Sequence, residues 1–279
     1  MDRREPHSPG VNLDAYCRRI GHEGPRTPTL ATLAELQRCH VSAITFEAID
    51  VLLGLPVDIG AAAVDAKLID ARRGGYCFEQ NSLFKRALEA IGFQVEGLLG
   101  RVHWMRAPEA GTPARSHMAL RVWIEGEAWL VDAGFGSCVP TAPLRLADPL
   151  AQRLSHDTYR IVHHPLGFRL DLLIGDGWSP VYDMPLDLPA DIDYVVANWF
   201  TSTHPSALFR RDLMVARTVH DARFTLLRNQ MTVRTTGGDV RKEQLSASSL
   251  LDALHDVFQL PVAPAWLPMA RAMAEVPSP

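Results

Sequence analysis

Residues 72–81 read RRGGYCFEQN, so two glycines and an aromatic residue come directly before a cysteine. Apolar residues at three- and four-residue spacings follow, among them Phe84, Leu88 and Ile91, and this period is typical of an amphipathic helix. The pattern predicts that Cys77 lies at a helix N-terminus. Unpaired backbone N–H groups and the positive end of the helix dipole favour a nucleophilic thiolate there. The alternative is a buried free cysteine that serves as a small apolar residue.

A second informative stretch is residues 117–132, which read HMALRVWIEGEAWLVD. Two apolar-rich segments flank the dipeptide Glu125-Gly126, and this arrangement predicts a β-hairpin with a two-residue turn. Counting outward from that turn puts His117 and Asp132 on one face of the hairpin, within side-chain reach of each other. We therefore expect a His–Asp pair at the open end of the hairpin, although a chance pairing of these residue types is also common.

Together these stretches supply the groups that nucleophilic catalysis requires: a reactive sulfur, a base and a residue that orients the base. The candidate catalytic residues are Cys77, His117 and Asp132. Asp132 would fix the tautomer of the imidazole and stabilise its cation. Gly74 and Gly75 would let the backbone approach closely, so that an acyl group can reach the sulfur.

Hydrophobic periodicity divides the chain into three parts. Residues 12–92 are mainly helical, and Gly92 is the expected stop of the last helix. Residues 93–199 change to a period of two and are strand-rich, whereas the remainder combines strands with a helix over 248–258. This order favours an α+β fold over a doubly wound sheet. Neither GxGxxG nor GxxxxGK[ST] occurs, so the sequence gives no support for a Rossmann or P-loop site.

Composition narrows the possible partners. The chain has 279 residues, 47% of them apolar, and a formal charge of −4. No basic surface is predicted that would favour nucleic acid or an anionic membrane, so small molecules are the expected partners. The opening ten residues are charged and no apolar run approaches the roughly 18 residues that span a bilayer, so we expect a cytoplasmic protein.

The cysteines indicate a reducing compartment and no metal. Four cysteines in a chain of this length are too few for a disulfide framework, and none forms a CxxC pair. The nearest candidate metal ligands are adjacent in sequence, Cys39 beside His40 and His163 beside His164, and this spacing does not suit chelation.

In the motifs around Cys77, His117 and Asp132, the chain resembles the arylamine N-acetyltransferase family. Three motifs carry the resemblance in the family's order, and two flanking segments extend it over nearly the whole chain. The motifs are RGGYCFEQN at 73–81, SHMALRV at 116–122 and LVDAGFG at 130–136, and the flanks are ITFEAIDV at 44–51 and NWFTSTHP at 198–205. One departure is Ala48, where the family usually has Asn.

The resemblance implies a fold of three domains with a cysteine-protease-like catalytic core. These are a helical domain over 1–92 that carries the cysteine, a β-barrel domain over 93–200 that carries the histidine and aspartate, and an α/β lid over 201–279. It also implies acetyl-CoA as the acyl donor, arylamines or hydrazines as acceptors, a ping-pong mechanism through an acetyl-cysteine, and a monomer or homodimer.

Further site residues follow from the resemblance alone. It implies that Phe46, Phe135 and Phe209 lie beside the acceptor pocket, although aromatic residues are mostly used in cores and Phe46 fits that use best. Gly134 and Gly136 would contact the cofactor. The resemblance also implies an internal pair between Glu47 and Arg73, and the alternative is two separate surface charges.

Three other functions remain possible on sequence grounds. A triad hydrolase of the transglutaminase or cysteine-protease kind shares Cys, His and Asp in this order, but not the Gly-Phe-Gly that follows Asp132 here. An amide synthase of the same family would have an identical triad and act on a carrier-bound acyl chain. A catalytically silent binding protein is disfavoured because all three reactive positions are present.

Overall fold

A computed structural model of the protein describes residues 10–107 and 109–275. The charged opening segment discussed above, residues 1–9, therefore lies outside the described residues. The helices are α1 Leu13–Ile20, α2 Leu30–Ala43, α3 Ile49–Leu52, α4 Ala61–Asp65, α5 Cys77–Ile91, α6 Asp191–Thr203, α7 Ala247–Asp256 and α8 Leu267–Glu275, with short helical turns at Ala66–Asp70, Leu208–Arg210 and Pro264–Trp266. Among the described helices, none has the length and apolar character needed to cross a membrane.

The strands form two antiparallel sheets. Their bounds are β1 Phe46–Glu47, β2 Gln94–Val102, β3 Arg115–Ile124, β4 Glu127–Val131, β5 Leu144–Arg145, β6 Gln152–Arg153, β7 Thr158–His164, β8 Gly167–Ile174, β9 Gly177–Pro185, β10 Met214–Thr218, β11 Ala222–Leu227, β12 Gln230–Thr235 and β13 Val240–Gln244. One sheet has the order β5-β4-β3-β2-β9-β8-β7-β6, and the other has the order β1-β10-β11-β12-β13.

The predicted helix after the glycine pair is α5, which begins at Cys77. Its apolar face is buried in a core that it forms mainly with β2 and β3, and Leu83, Phe84 and Leu88 are fully covered. Gly92 ends the helix in the left-handed region at φ 104°, which glycine adopts without steric cost. The start and the end of this helix are as predicted.

The eight-stranded sheet curls into a nearly closed barrel. The hairpin β3–β4 has the predicted register, with Ile124 opposite Glu127, and both turn residues have positive φ. At the two edges, the Gln152 side chain of β6 hydrogen-bonds to the backbone of Arg145 in β5, through both its oxygen (2.8 Å) and its nitrogen (3.0 Å). This side chain pairs both backbone groups of Arg145 at the edge strand β5.

The five-stranded sheet joins the two ends of the chain. The edge strand β1 comes from the N-terminal part and pairs with β10, with Phe46 opposite Ala216. Helices α7 and α8 pack on this sheet around a core that includes Phe258 and Trp266. A strand of two residues inside a helical region has no detectable period, so the sequence did not predict β1.

The strand-rich interpretation of residues 93–199 is wrong at its end, where α6 spans Asp191–Thr203. The helix begins with the Asp193 carboxylate accepting a hydrogen bond from the Ala190 N–H at 2.9 Å. Val195 and Val196, both exposed, are β-branched residues that favour strands in isolation, which explains the misassignment. The boundary expected at residue 200 lies inside this helix.

Candidate active site

Cys77 is the first residue of α5, and its side chain is almost entirely buried. The Glu79 carboxylate accepts a hydrogen bond from the Tyr76 N–H at 3.0 Å and so caps the helix start. This cap leaves the first backbone N–H groups of α5 near the sulfur. Cys77 therefore lies at a helix N-terminus, as predicted.

The two glycines before Cys77 allow the loop to run directly alongside β1. The Gly75 N–H donates to the Thr45 carbonyl at 3.2 Å, and the Glu47 N–H donates to the Gly75 carbonyl at 3.1 Å. A Cβ at Gly74 would collide with the Thr45 carbonyl, and one at Gly75 would lie 2.7 Å from the Glu79 carboxylate. Both positions therefore require glycine for close backbone approach.

His117 on β3 and Asp132, directly after β4, lie together and are both buried. The distance from His117 Nε2 to Asp132 Oδ2 is 2.7 Å. The Cys77 side chain donates to the Ser116 carbonyl at 3.6 Å, one residue before His117, and is close enough to His117 to affect its pKa. The structure thus brings the three candidate catalytic residues together, with His117 bonded to Asp132 and close to Cys77.

The charge on His117 follows from its neighbours. Burial opposes protonation of the imidazole, but the Asp132 carboxylate, its hydrogen bond to His117 and the nearby Cys77 sulfur outweigh burial and raise the pKa of His117 to about 10. The imidazolium form is therefore favoured at neutral pH.

Asn81 fixes the aspartate, a role that the sequence analysis did not assign. Its Nδ2 donates to Asp132 Oδ1 at 3.0 Å and to the Met118 carbonyl at 2.7 Å, and its Oδ1 accepts from the Ala133 N–H at 2.9 Å. The Gly134 N–H also donates to Asp132 Oδ1, at 2.8 Å. Asn81 lies four residues after Cys77, on the same face of α5, and this spacing was the signal available in the sequence.

Close packing holds the loop after Asp132 against the nucleophile. A Cβ at Gly134 would lie 2.7 Å from the Cys77 Cα, so only glycine lets the two segments meet. The rings of His117, Phe135 and Tyr182 form a triangle, with the His117 centroid 4.9 Å from each of the others and those two 5.3 Å apart. Tyr182 has no signal in the sequence, because it is one apolar position among many on β9.

Comparison with known proteins identifies the family. A family model described as N-acetyltransferase matches residues 29–267. The arylamine N-acetyltransferase of Mycolicibacterium smegmatis is 40% identical over 251 residues, which are 89% of this chain and 91% of that protein. This chain belongs to the arylamine N-acetyltransferase family.

Solved structures of arylamine N-acetyltransferases share the fold. That of the Mycobacterium tuberculosis enzyme superposes with a TM-score of 0.90 at 36% identity, covering 94% of this chain and 100% of that one. That of the Mycobacterium marinum enzyme, in complex with CoA, gives a TM-score of 0.89 at 38% identity, covering 95% and 98%. The predicted α+β fold of this acyltransferase family is confirmed.

The aromatic residues that the arylamine N-acetyltransferase resemblance singled out lie around the start of α5. Phe209 is half-buried, and its ring centroid lies 5.9 Å from the ring centroid of Phe46 and 5.9 Å from that of Tyr76. Phe46 is buried in the core, as its alternative interpretation held. Gly136 has φ 81°, and a Cβ there would lie 3.0 Å from the Phe46 ring. Phe135, half-buried, lies against His117 instead.

Arg73 and Glu47 contact each other beneath the motif loop. The distance from Arg73 Nη2 to Glu47 Oε1 is 2.7 Å, and the Glu47 side chain is fully buried. Arg73 also bonds to Asp50 at 3.0 Å and lies over the Trp266 ring, 4.9 Å from its centroid. The pair is therefore internal and connects the loop to both β1 and the C-terminal region.

Lys67 extends this charge network towards the catalytic helix. Its Nζ lies 2.7 Å from Asp50 and 2.7 Å from Glu79, the residue that caps α5. Burial raises the pKa of Glu79 to about 7, and Lys67 only partly offsets this effect. A titratable carboxyl therefore holds the helix start.

A second buried histidine supports the loop from the other direction. His40 Nδ1 contacts the Tyr16 hydroxyl at 2.9 Å, and its Nε2 contacts Gln80 Oε1 at 2.9 Å. The Gln80 amide in turn donates to the Thr45 and Gly75 carbonyls, at 3.1 Å each. Burial lowers the pKa of His40 to about 3, so this residue stays neutral.

Proposed function

We propose that this protein transfers an acetyl group from acetyl-CoA to arylamines or arylhydrazines by a ping-pong mechanism through an acetyl-Cys77 intermediate. The observation that carries the proposal is the buried His117–Asp132 pair close to Cys77, which lies at a helix start. The CoA complex of the Mycobacterium marinum relative supports the donor. Family membership favours acyl transfer over the hydrolase alternative.

In the first half-reaction, the Cys77 thiolate attacks the thioester carbonyl of acetyl-CoA. A bond forms between the Cys77 sulfur and the acetyl carbon, and the bond from that carbon to the CoA sulfur breaks. The departing CoA thiolate takes the proton from the His117 imidazolium. Free CoA thiol leaves a neutral imidazole beside the acetylated cysteine.

In the second half-reaction, the neutral His117 acts as the base. The acceptor nitrogen attacks the acetyl carbon, His117 takes the nitrogen's proton, and the bond to the Cys77 sulfur breaks. Arylamines and hydrazines have low pKa values, so they are neutral at pH 7 and ready to attack. The products are the acetylated amine and the original thiolate–imidazolium pair.

Asp132 orients His117 in both steps. Its Oδ2 accepts from the imidazole, while donors from Asn81 and Gly134 hold its Oδ1, so the carboxylate keeps its position while the ring changes charge. Acetylation removes the negative charge from the Cys77 sulfur. One contribution to the raised pKa of His117 is thereby lost, which makes its proton easier to release.

The substrate contacts belong to the same proposal. The acceptor would lie against Phe135, which contacts the imidazole, and near Phe209 and Phe46. The loop that carries Gly134 and Gly136 would line the path of the acetyl group, because Gly134 packs directly on the Cys77 backbone.

We also propose that the chain divides into three domains: a helical part over 1–92, a barrel over 93–200 and a lid over 201–279.

Initial-rate kinetics with acetyl-CoA and an arylamine or arylhydrazide test the proposal. Double-reciprocal plots at several fixed amine concentrations should be parallel, because CoA leaves before the amine reacts. Release of CoA without amine should stop after about one equivalent. Intersecting lines would indicate direct transfer in a ternary complex and would contradict the covalent route.

A further inference from the structure

A cluster of three potential metal ligands lies outside the catalytic site. Its members are His22 in the loop after α1, and Glu35 and Cys39, which are one turn apart on α2. One nitrogen, one carboxylate oxygen and one sulfur from these side chains all lie within 4.8 Å of one another. None of the three contributes to the proposed acetyl transfer.

His22 provides the observation that points to a ligand. Its side chain is completely buried, and its Nε2 lies 3.2 Å from the Pro25 carbonyl, which only accepts hydrogen bonds. Nε2 therefore carries a proton, and in the neutral ring Nδ1 presents a lone pair. Within the described residues Nδ1 has no hydrogen-bond partner, and its nearest charged neighbour, Glu35 Oε1, is 3.7 Å away. A metal ion between the neutral imidazole and the Glu35 carboxylate would give this buried nitrogen the partner that it lacks.

The surroundings suit a bound ion. A histidine that ligates a metal usually donates its other ring N–H to a carbonyl or carboxylate, as His22 does to Pro25. Arg38 Nη2 lies 3.6 Å from the Cys39 sulfur and partly offsets the burial that raises the pKa of this thiol, so a metal would displace the thiol proton on binding. The loop closes tightly over the cluster, because a Cβ at Gly24 would lie 3.0 Å from both Glu35 Oε2 and His22 Cε1.

The donor set selects the class of ion. Nitrogen, oxygen and thiolate sulfur together suit Zn²⁺ and related divalent transition metals, whereas Mg²⁺ and Ca²⁺ prefer oxygen alone. In tetrahedral coordination with metal–ligand bonds of about 2.0–2.3 Å, the distances between the three ligand atoms would have to shorten by less than about 1.5 Å. The Glu35 side chain is 42% exposed, which leaves a solvent-facing position for entry and for a water.

We propose that His22 Nδ1, the Glu35 carboxylate and the Cys39 sulfur bind Zn²⁺, with a water as the fourth ligand. Binding would release the thiol proton of Cys39 to solvent and form a metal–sulfur bond. The ion would fasten the loop between α1 and α2 to α2, which is a structural role. The adjacent pair Cys39 and His40 had argued against a metal site, but the ligand that matters is 17 positions earlier in the chain.

Cobalt binding by the full-length chain tests this site. The parent is the Cys77→Ala variant, because Cys77 beside His117 and Asp132 is itself a set of metal-ligating groups. After dialysis against a chelator, Co²⁺ should bind to the parent at one equivalent with a thiolate-to-metal charge-transfer absorption, and Zn²⁺ should displace it. Because the parent lacks the proposed nucleophile, this result is independent of the acetyl-transfer proposal.

Variants on the same parent decide the ligands. Cys39→Ser should abolish the charge-transfer band, Glu35→Gln should weaken Co²⁺ binding at least about tenfold, and the control Cys17→Ser should retain the band. A parent without the band, or a band that survives Cys39→Ser, overturns the proposal. If Cys39→Ser does not fold, the partly exposed Glu35→Gln decides alone, since unchanged affinity in that variant overturns the proposal as well.

Discussion

His117 and His40 are both buried, and each lies beside the first turn of α5: His117 is close to Cys77, and His40 hydrogen-bonds to Gln80. Their charges nevertheless differ. Burial among neutral partners lowers the pKa of His40 to about 3, whereas the Asp132 carboxylate overcomes the same burial and raises the pKa of His117 to about 10. Burial alone keeps a histidine neutral at pH 7, whereas a fixed carboxylate beside it favours the imidazolium.

The same contrast separates the cysteines. Burial raises the pKa of Cys17, Cys39 and Cys138, so these thiols remain protonated at neutral pH. Cys77 differs from them in lying at a helix start beside the imidazolium of His117. We therefore expect reactivity to follow the charged partner and not the depth of burial.

The largest effect is expected from removal of the nucleophile. Cys77→Ala should lower acetyl transfer by at least about 10³-fold, because no other sulfur has an imidazolium partner. The Cys17→Ala control removes a buried thiol that has no such partner and should retain activity. Iodoacetamide should label Cys77 ahead of the other cysteines, and peptide mapping checks this order. Preferential labelling of another cysteine with loss of activity would refute the assignment.

The next effect tests the carboxylate that distinguishes the two histidines. Asp132→Asn should lower acetyl transfer about 10²- to 10⁴-fold, since the amide cannot stabilise the imidazolium and can hold the wrong tautomer. The pKa of His117, followed by NMR titration, should fall below 10.

Asp183→Asn is the matched control, because Asp183 forms a His–Asp pair of the same length, 2.7 Å, with the partly exposed His103. Its loss should leave turnover nearly unchanged. Equal losses in the two variants would mean that removal of any carboxylate near a histidine has this effect.

Buried charge should also matter for stability at Arg73. Arg73→Ala leaves the fully buried Glu47 without its partner, at a cost of about 3–5 kcal/mol in the free energy of unfolding. The control is Arg145→Ala, whose pair with Glu127 is exposed, and its cost should be below about 1 kcal/mol. Urea denaturation measures both, and similar small costs would show that the Arg73 pair is solvated.

The smallest effect concerns the neutral histidine. Because the folded state cannot protonate His40 until pH falls to about 3, stability is lost as pH falls below the unfolded value of 6.5. The contribution of His117 to stability has the opposite pH dependence. It is fully present below pH 6.5 and is lost as the pH rises through about 10.

Unfolding of His40→Gln and of the unsubstituted protein should therefore be compared between pH 4 and 6. The free energy of unfolding of the unsubstituted protein minus that of His40→Gln should decrease by about 1.4 kcal/mol for each unit by which the pH is lowered. Taking the difference cancels the contribution of Glu79, whose pKa is also raised by burial. A pH-independent difference would mean that His40 is protonated in the folded protein.

The sequence was most informative where a short-range rule applies. The helix start at Cys77, its stop at Gly92 and the hairpin register follow from periodicity and turn chemistry over a few residues. What joins these elements was not predictable in this way. Asn81 connects α5 to the loop after Asp132, and no local pattern reports a contact across 51 positions.

Other gaps have the same physical origin. The strand β1 is too short to show a period and is defined by its partners, β10 and the backbone of Gly75. Helix α6 has β-branched residues on an exposed face, so its local preference contradicts its tertiary context. The charge network around Lys67 and the cluster around His22 bring together residues distant in sequence, which spacing rules for adjacent ligands do not detect.

Mass spectrometry of the protein mixed with acetyl-CoA and no acceptor tests the central claim most directly. We predict that one acetyl group is added per chain at neutral pH, that proteolysis locates it on Cys77, and that adding an arylamine removes it. Asp132→Asn should slow its formation, whereas Asp183→Asn should not. An unmodified chain, or an acetyl group on any residue other than Cys77, would contradict the account.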